Sequence, residues 1–261
     1  MSVRSPARAM VNFVEGSKEP VFSNWEPARV RMDLVPVETT ILDIRDLAST
    51  PTLDDEGFAL VKHPVVGDWK DQGWIEAVYI PSCVELVKRM TAASAAAQIF
   101  FPLVRSSDPV GEGIAHAARF LHLDIPRDEY FKFAKMEADK AGLELDGREA
   151  AIFNVWKAIS PPPQSTPLAV CRRRDIAEAD HVVGLNDQDE HSSHFVAVKP
   201  PGRPMNMYYA PDLDIDESLV FIAADFNPDN PLGCGHQAVE PLGVSLPDPR
   251  TSIEVRILCI F

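Results

Sequence analysis

Cysteine is scarce and scattered in this chain. Cys83, Cys171, Cys234 and Cys259 are the only four in 261 residues and form no Cys-x-x-Cys pair, so zinc knuckles and disulfide frameworks drop out as organising devices. Reduced thiols in a cytoplasmic protein are the simpler expectation. Positive charge is also short: 25 Lys and Arg stand against 39 Asp and Glu, a formal net charge of -14. Such a surface repels a phosphate backbone or an anionic membrane, which excludes nucleic acid and membranes as partners. The one basic run, Arg172-Arg173-Arg174, is too short to reverse that. No stretch reaches the ~18 consecutive apolar residues of a membrane span, and no apolar core follows the first arginines as in a secretory signal. Internal repeats and low-complexity segments are absent.

What is present is enough apolar residue, 46%, for one large core. Twenty-three prolines favour turns and short elements over long helices. Residues 1–38 show little periodicity and read as an extended arm over the surface of a single domain spanning 39–261. Within that domain Thr40–Arg45, Gly57–Lys62, Ala96–Val104, Ala150–Ile159, Leu168–Cys171, Phe195–Val198, Asn206–Tyr209, Leu219–Ala223 and Ile253–Ile260 read as strands bounded by Pro, Gly or Asp. Two helices are expected, one opening at Pro81-Ser82 and one over Arg127–Ala141 ended by Gly142. The polar, acidic stretch Asp175–Ser193 reads as a long loop of the kind that forms a lid. The class is mainly β, a barrel or jelly roll with a few flanking helices.

The chemistry gathers at Arg119-Phe120-Leu121-His122-Leu123-Asp124-Ile125. On a strand, His122 and Asp124 would project from one face, an imidazole beside a carboxylate. His236, in Gly233-Cys234-Gly235-His236 far downstream, is the candidate third partner. Two histidines and one carboxylate on one side of a cation form the facial triad of non-haem Fe(II) oxygenases. Alone, a His-x-Asp pair is more often a hydrogen-bonded pair in a core.

The last strand adds weight. Arg250, Ser252, Glu254 and Arg256 alternate onto one face, and an arginine and a hydroxyl two apart can grip the far carboxylate of 2-oxoglutarate. The bland alternative is a surface Arg-Glu-Arg ladder. His191 and His194 lie in a polar loop-like segment, and His63, His116 and His181 have no evident partner. Asn154, Trp156, Tyr208 and Tyr209 are candidates to line a substrate pocket, although strand aromatics usually serve a core.

Taken together, the Leu53–Phe58 stretch, His122-x-Asp124, Phe153–Trp156, Pro167–Cys171, Tyr208-Tyr209, Asp216–Phe221, His236 and Arg250–Arg256 make a chain that resembles the AsaB-like hydroxylase/desaturase family of non-haem iron enzymes. The likeness runs from about Ile41 to Phe261. It implies a double-stranded β-helix (jelly-roll, cupin-like), with Fe(II) held by His122, Asp124 and His236 and 2-oxoglutarate anchored by Arg250 with Ser252, Arg256 facing the same way. O2 and a small-molecule substrate complete the implied reaction, an oxidation in secondary metabolism with decarboxylation of 2-oxoglutarate to succinate and CO2. The chain departs from the family pattern at Trp156-Lys157-Ala158, ahead of Tyr208 and at Gly235, which leaves the substrate open. Two alternatives stay beside this reading: an inactive β-helix that binds a metabolite or partner protein, and an iron oxygenase independent of 2-oxoglutarate. Whether the chain forms a homo-oligomer is not legible.

Overall fold

Three segments of the chain are buried on both faces along nearly their whole length, and the architecture grows from them. Ala150–Ala158, Glu217–Asp225 and Thr251–Ile260 are near-continuous apolar runs, the pattern of strands covered above and below. The structure, a computed structural model, describes residues 6–108, 113–145, 147–189, 192–243 and 249–261.

In chain order the strands are β1 (Ala7–Val14), β2 (Val21–Phe22), β3 (Leu34–Asp43), β4 (Phe58–Lys62), β5 (Ala95–Ser106), β6 (Ala115–His116), β7 (His122–Leu123), β8 (Ala150–Ala158), β9 (Leu168–Val170), β10 (His181–Asn186), β11 (Ser193–Val198), β12 (Asn206–Tyr209), β13 (Glu217–Asp225), β14 (His236–Ala238) and β15 (Thr251–Ile260). They form a nine-stranded sheet in the order β1-β3-β12-β9-β14-β7-β11-β10-β2 and a six-stranded sheet in the order β4-β13-β8-β15-β5-β6. The two sheets face each other: Phe58 of the smaller lies 5.3 Å from Tyr208 of the larger, and Phe221 lies 4.7 Å from His236. This is the jelly-roll arrangement expected of the sequence.

Alternation along the central strands sorts their side chains. Phe153, Val155, Ile253, Val255 and Ile257 point outward from the smaller sheet. The helix Ile80–Thr91 covers them with Cys83, Leu86 and Val87. Helical turns begin earlier than Pro81: Asp71 caps Gln72–Trp74, and a π-turn over Ile75–Tyr79 leads into the main helix. The other face carries Trp156, Phe221 and Phe58, which pack against Val170 and Tyr208 of the larger sheet. The second helix, Arg127–Lys140, buries Ala134 and Ala138 in the core cluster that also holds Leu123, Leu258 and Ile260.

The amino-terminal segment expected as an arm contributes β1, which pairs with β3 from Ala7↔Ile41 to Val14↔Leu34 and buries Ala9, Val11 and Phe13. The Asp175–Ser193 stretch differs from its reading as a loop. It contains β10, paired in register with β11 from His181↔Val198 to Asn186↔Ser193. Val182, Val183 and Leu185 supply the strand character that the surrounding acidic residues conceal. No helix among the described residues is long and apolar enough to cross a membrane.

Candidate metal and anion site

His122 and His236 meet directly across neighbouring strands, β7 and β14, with their rings 4.3 Å apart. The carboxylate arrives differently from the strand-face argument. Regular pairing stops at Leu123, and Asp124 lies in the bend before Pro126. The bend still aims the side chain inward, so that one ligand atom from each of His122, Asp124 and His236 lies within 4.8 Å of the others.

Backbone carbonyls fix both imidazoles. Nδ1–H of His122 donates to the carbonyl of Phe120 (2.9 Å), and Nδ1–H of His236 donates to that of Cys234 (3.1 Å). Each Nε2 is thereby left as a lone-pair donor, the tautomer a metal requires. Burial, reinforced by the neighbouring His236, lowers the His122 pKa to about 3, so that ring is neutral at physiological pH. Phe120 and Phe221 flank the two rings at 4.8 and 4.7 Å.

Asp124 is held by both oxygens: Oδ1 accepts from Arg256 Nη2 at 3.1 Å and Oδ2 from Asn154 Nδ2 at 2.7 Å. Burial pushes its carboxyl upward, but Arg256, then His236 and His122, overcome this and hold it well below the usual carboxylate range. Oδ1 also lies 3.9 Å from His236 Nε2, which makes it the oxygen facing the shared space. Two imidazoles and one carboxylate, converging on one space, match the donor set of a divalent transition metal.

The two candidate arginines have different surroundings. Arg256 is matched, 3.1 Å from Asp124 and 2.7 Å from Glu254. Its guanidinium lies 5.8 Å from the Phe100 ring, which stacks on Phe133. Phe100 occupies the left-handed region, φ +56°, within a bulge where Ile99 and Leu103 flank the turn opposite Arg256 and Glu254. A bulky residue adopts that conformation only where packing enforces it.

Arg250 is 1% exposed, and its Nε and Nη2 are buried without a hydrogen-bond partner. Burial lowers its pKa to about 9, with Arg105 adding to the effect, and it is a cation at neutral pH. Trp156 offers only its ring face, 5.4 Å away. Ser252, also 1% exposed, follows on the same side of β15. A buried guanidinium with idle donors beside a hydroxyl has the chemistry to receive a carboxylate.

The remaining candidates separate. Asn154 spends its amide on Asp124, and Trp156 packs on Arg250. Tyr208 faces between the sheets, beneath the Arg172 guanidinium at 4.9 Å. Tyr209 turns to the other face of β12, into a cluster with Met207 and Ile41. His194 pairs with Glu129 at 2.5 Å, and His191 lies outside the described residues. Lys157, where the sequence departs from the family pattern, donates to the carbonyls of His63, Ile215 and Glu217. The sequence reading missed Arg105, whose signal was an arginine closing an apolar strand, and missed the part Asn154 plays in holding Asp124.

A family model described as an oxidoreductase/YMDC permease-like domain matches residues 11–260. Among curated proteins, "Oxidoreductase clz16" of Cochliobolus lunatus is 25% identical over 257 residues, covering 87% of this chain and 86% of that protein. "Oxidoreductase R2" of a Phoma species is 24% identical over the same shares. Among solved structures, two of the iron and alpha-ketoglutarate-dependent endoperoxidase NvfI superpose with TM-scores of 0.84 and 0.83 at 22% identity. They cover 100% and 97% of this chain, and 99% and 97% of theirs. That likeness fixes the fold.

Proposed function

The chain belongs to this oxidoreductase/YMDC permease-like family, and from that premise we propose that it is an Fe(II)- and 2-oxoglutarate-dependent oxygenase acting on a small molecule. Hydroxylation, desaturation or a related oxidation in secondary metabolism would be coupled to conversion of 2-oxoglutarate to succinate and CO2. One juxtaposition carries the reading: a His122–Asp124–His236 cluster whose ligand atoms lie within 4.8 Å, in the same interior as a buried arginine with two idle nitrogens. The solved neighbours are described as iron and alpha-ketoglutarate-dependent, which supports the assignment.

In this reading His122 and His236 would hold iron through Nε2 and Asp124 through a carboxylate oxygen. Bound iron would supply O2 activation coupled to oxidation of the 2-oxo acid. Asn154 engages Oδ2 of Asp124 by a hydrogen bond, which leaves Oδ1 as the oxygen nearer His236. Arg256 sustains the charge on Asp124. Arg250, with Ser252, takes the far carboxylate of 2-oxoglutarate, while Phe120 and Phe221 keep water from the flanks of the imidazoles.

The test is succinate formation from 2-oxoglutarate with Fe(II), ascorbate and O2, in the parent and in Asp124→Ala. Turnover in the parent and none in the variant is expected. No turnover, together with no binding of iron or 2-oxoglutarate by the parent, would overturn the reading.

A further inference from the structure

Arg250 is not the only unmatched cation in this interior. In the pairing of β5 with β15, Arg105 stands directly opposite Ser252. Directly opposed residues of antiparallel strands share a face, with Cβ atoms about 5 Å apart. The ends of the two strands are zipped there: the Arg250 amide donates to Ser107 Oγ at 2.9 Å, and the Ser107 amide to the Arg250 carbonyl at 3.0 Å. Arg105 and Arg250 are therefore diagonal neighbours around Ser252, within reach of a common ligand for side chains of that length.

The Arg105 guanidinium is positioned before any ligand arrives. Its Nη1 donates to the His116 carbonyl at 2.7 Å, and β6 holds that carbonyl in place through the Ser106↔His116 pairing. Among the described residues no carboxylate lies within ion-pair distance of Arg105 or Arg250, whereas Arg256 on the same face has two. The two guanidiniums disfavour each other: Arg105 adds to the burial that lowers Arg250, and burial lowers Arg105 itself to about 10 although the Glu254 carboxylate pulls the other way.

We propose that Arg105 and Arg250 together clamp one carboxylate, and that Arg105 is a second specificity-determining residue for the co-substrate. The pair would make the site select a 2-oxo acid that carries a second carboxylate over one that does not. This rests on the 2-oxoglutarate reading above and adds to it a residue and a basis for discrimination. A carboxylate offers about four lone-pair directions and two guanidinium forks can serve them all, more than one arginine achieves.

The experiment is anaerobic binding to the Fe(II)-loaded protein of 2-oxoglutarate and of 2-oxopentanoate, which has the same chain length and the same keto-acid end but no far carboxylate. Parent, Arg105→Gln and Arg250→Gln are compared. For Arg105→Gln the Kd for 2-oxoglutarate should rise roughly 10-fold or more, the loss of one charge-assisted hydrogen-bonded contact, while that for 2-oxopentanoate stays within roughly twofold. Arg250→Gln should show the same selectivity. If circular dichroism shows Arg105→Gln misfolded, Arg105→Lys, which keeps the charge and loses the fork, should give a smaller loss confined to 2-oxoglutarate. Unchanged affinity for 2-oxoglutarate, or equal weakening of both acids as from a merely loosened site, overturns the proposal. Failure of the parent to bind either acid would overturn the oxygenase reading instead.

Discussion

Replacing Arg250 by methionine should make the ligand-free protein more stable. A guanidinium held at about 9 instead of 12.5 carries an electrostatic cost of about 5 kcal/mol at neutral pH, at ~1.4 kcal/mol per tenfold change in proton affinity. That figure is an upper bound, because water and relaxation reduce it and because the contact with Trp156, worth up to ~2 kcal/mol when desolvated, is lost with the charge. Methionine is of similar length and adapts to irregular space, which leaves a net gain of about 1–3 kcal/mol. Urea unfolding of the parent and Arg250→Met, all in Mn(II) as a redox-inert stand-in and each with and without 2-oxoglutarate, measures this. The parent should gain about 2.7 kcal/mol at 2-oxoglutarate concentrations near 100 times Kd, and the variant, its affinity weakened roughly tenfold or more, about 1.4 kcal/mol or less at the same concentration. If Arg250→Met is less stable than the parent without 2-oxoglutarate, and gains as much from it as the parent does, then Arg250 is a structural cation and the anion socket is refuted.

Three further outcomes are expected. Asn154→Ala removes the amide on Asp124 Oδ2 and should weaken Fe(II) binding by about 10–100-fold, as outer partners of metal ligands do, in an anaerobic titration read by a competing chelator. Gly233→Ala places a Cβ 2.6 Å from the Ala223 carbonyl oxygen, a backbone atom that cannot swing aside, so the segment leading to His236 must shift. Thermal melts should show a loss of about 1–3 kcal/mol together with weakened metal binding. His63 is 6% exposed and lies between Ser218 and Ser82 at 3.0 Å each; burial, then Lys157 and Arg89, lowers it to about 4. The unfolded chain, with a histidine near 6.5, takes up the proton first, so stability is full above that pH and falls by up to ~3 kcal/mol as pH drops toward 4. His63→Gln should flatten that slope in urea midpoints measured across pH.

Much of this was legible in the sequence because alternation and burial act locally. Ala150–Ile159 and Ile253–Ile260 read as strands from their residues alone, close to the observed Ala150–Ala158 and Thr251–Ile260, and the triad candidates announced themselves by type. Asp124 reached the cluster by a bend rather than by strand parity, since Pro126 ends regular pairing just beyond it. Strand β10 was hidden because its valines and leucine are embedded among charged residues, and only pairing with β11 makes them a strand. The roles of Arg105 and Asn154 depend on contacts 147 and 30 positions apart along the chain, and no local pattern encodes such register. Parity placed Arg250 and Arg256 on one face. What separates them is which already has anionic partners, and that appears only when Asp124 and Glu254 are in place.

The most direct test of the central claim is an anaerobic absorption titration of the protein with Fe(II) and 2-oxoglutarate, alongside His122→Ala and Asp124→Ala. The account predicts one iron per chain and a visible metal-to-ligand charge-transfer band that grows with 2-oxoglutarate in the parent and is lost in both variants. A parent that binds no iron, or one whose iron spectrum ignores 2-oxoglutarate, would contradict it.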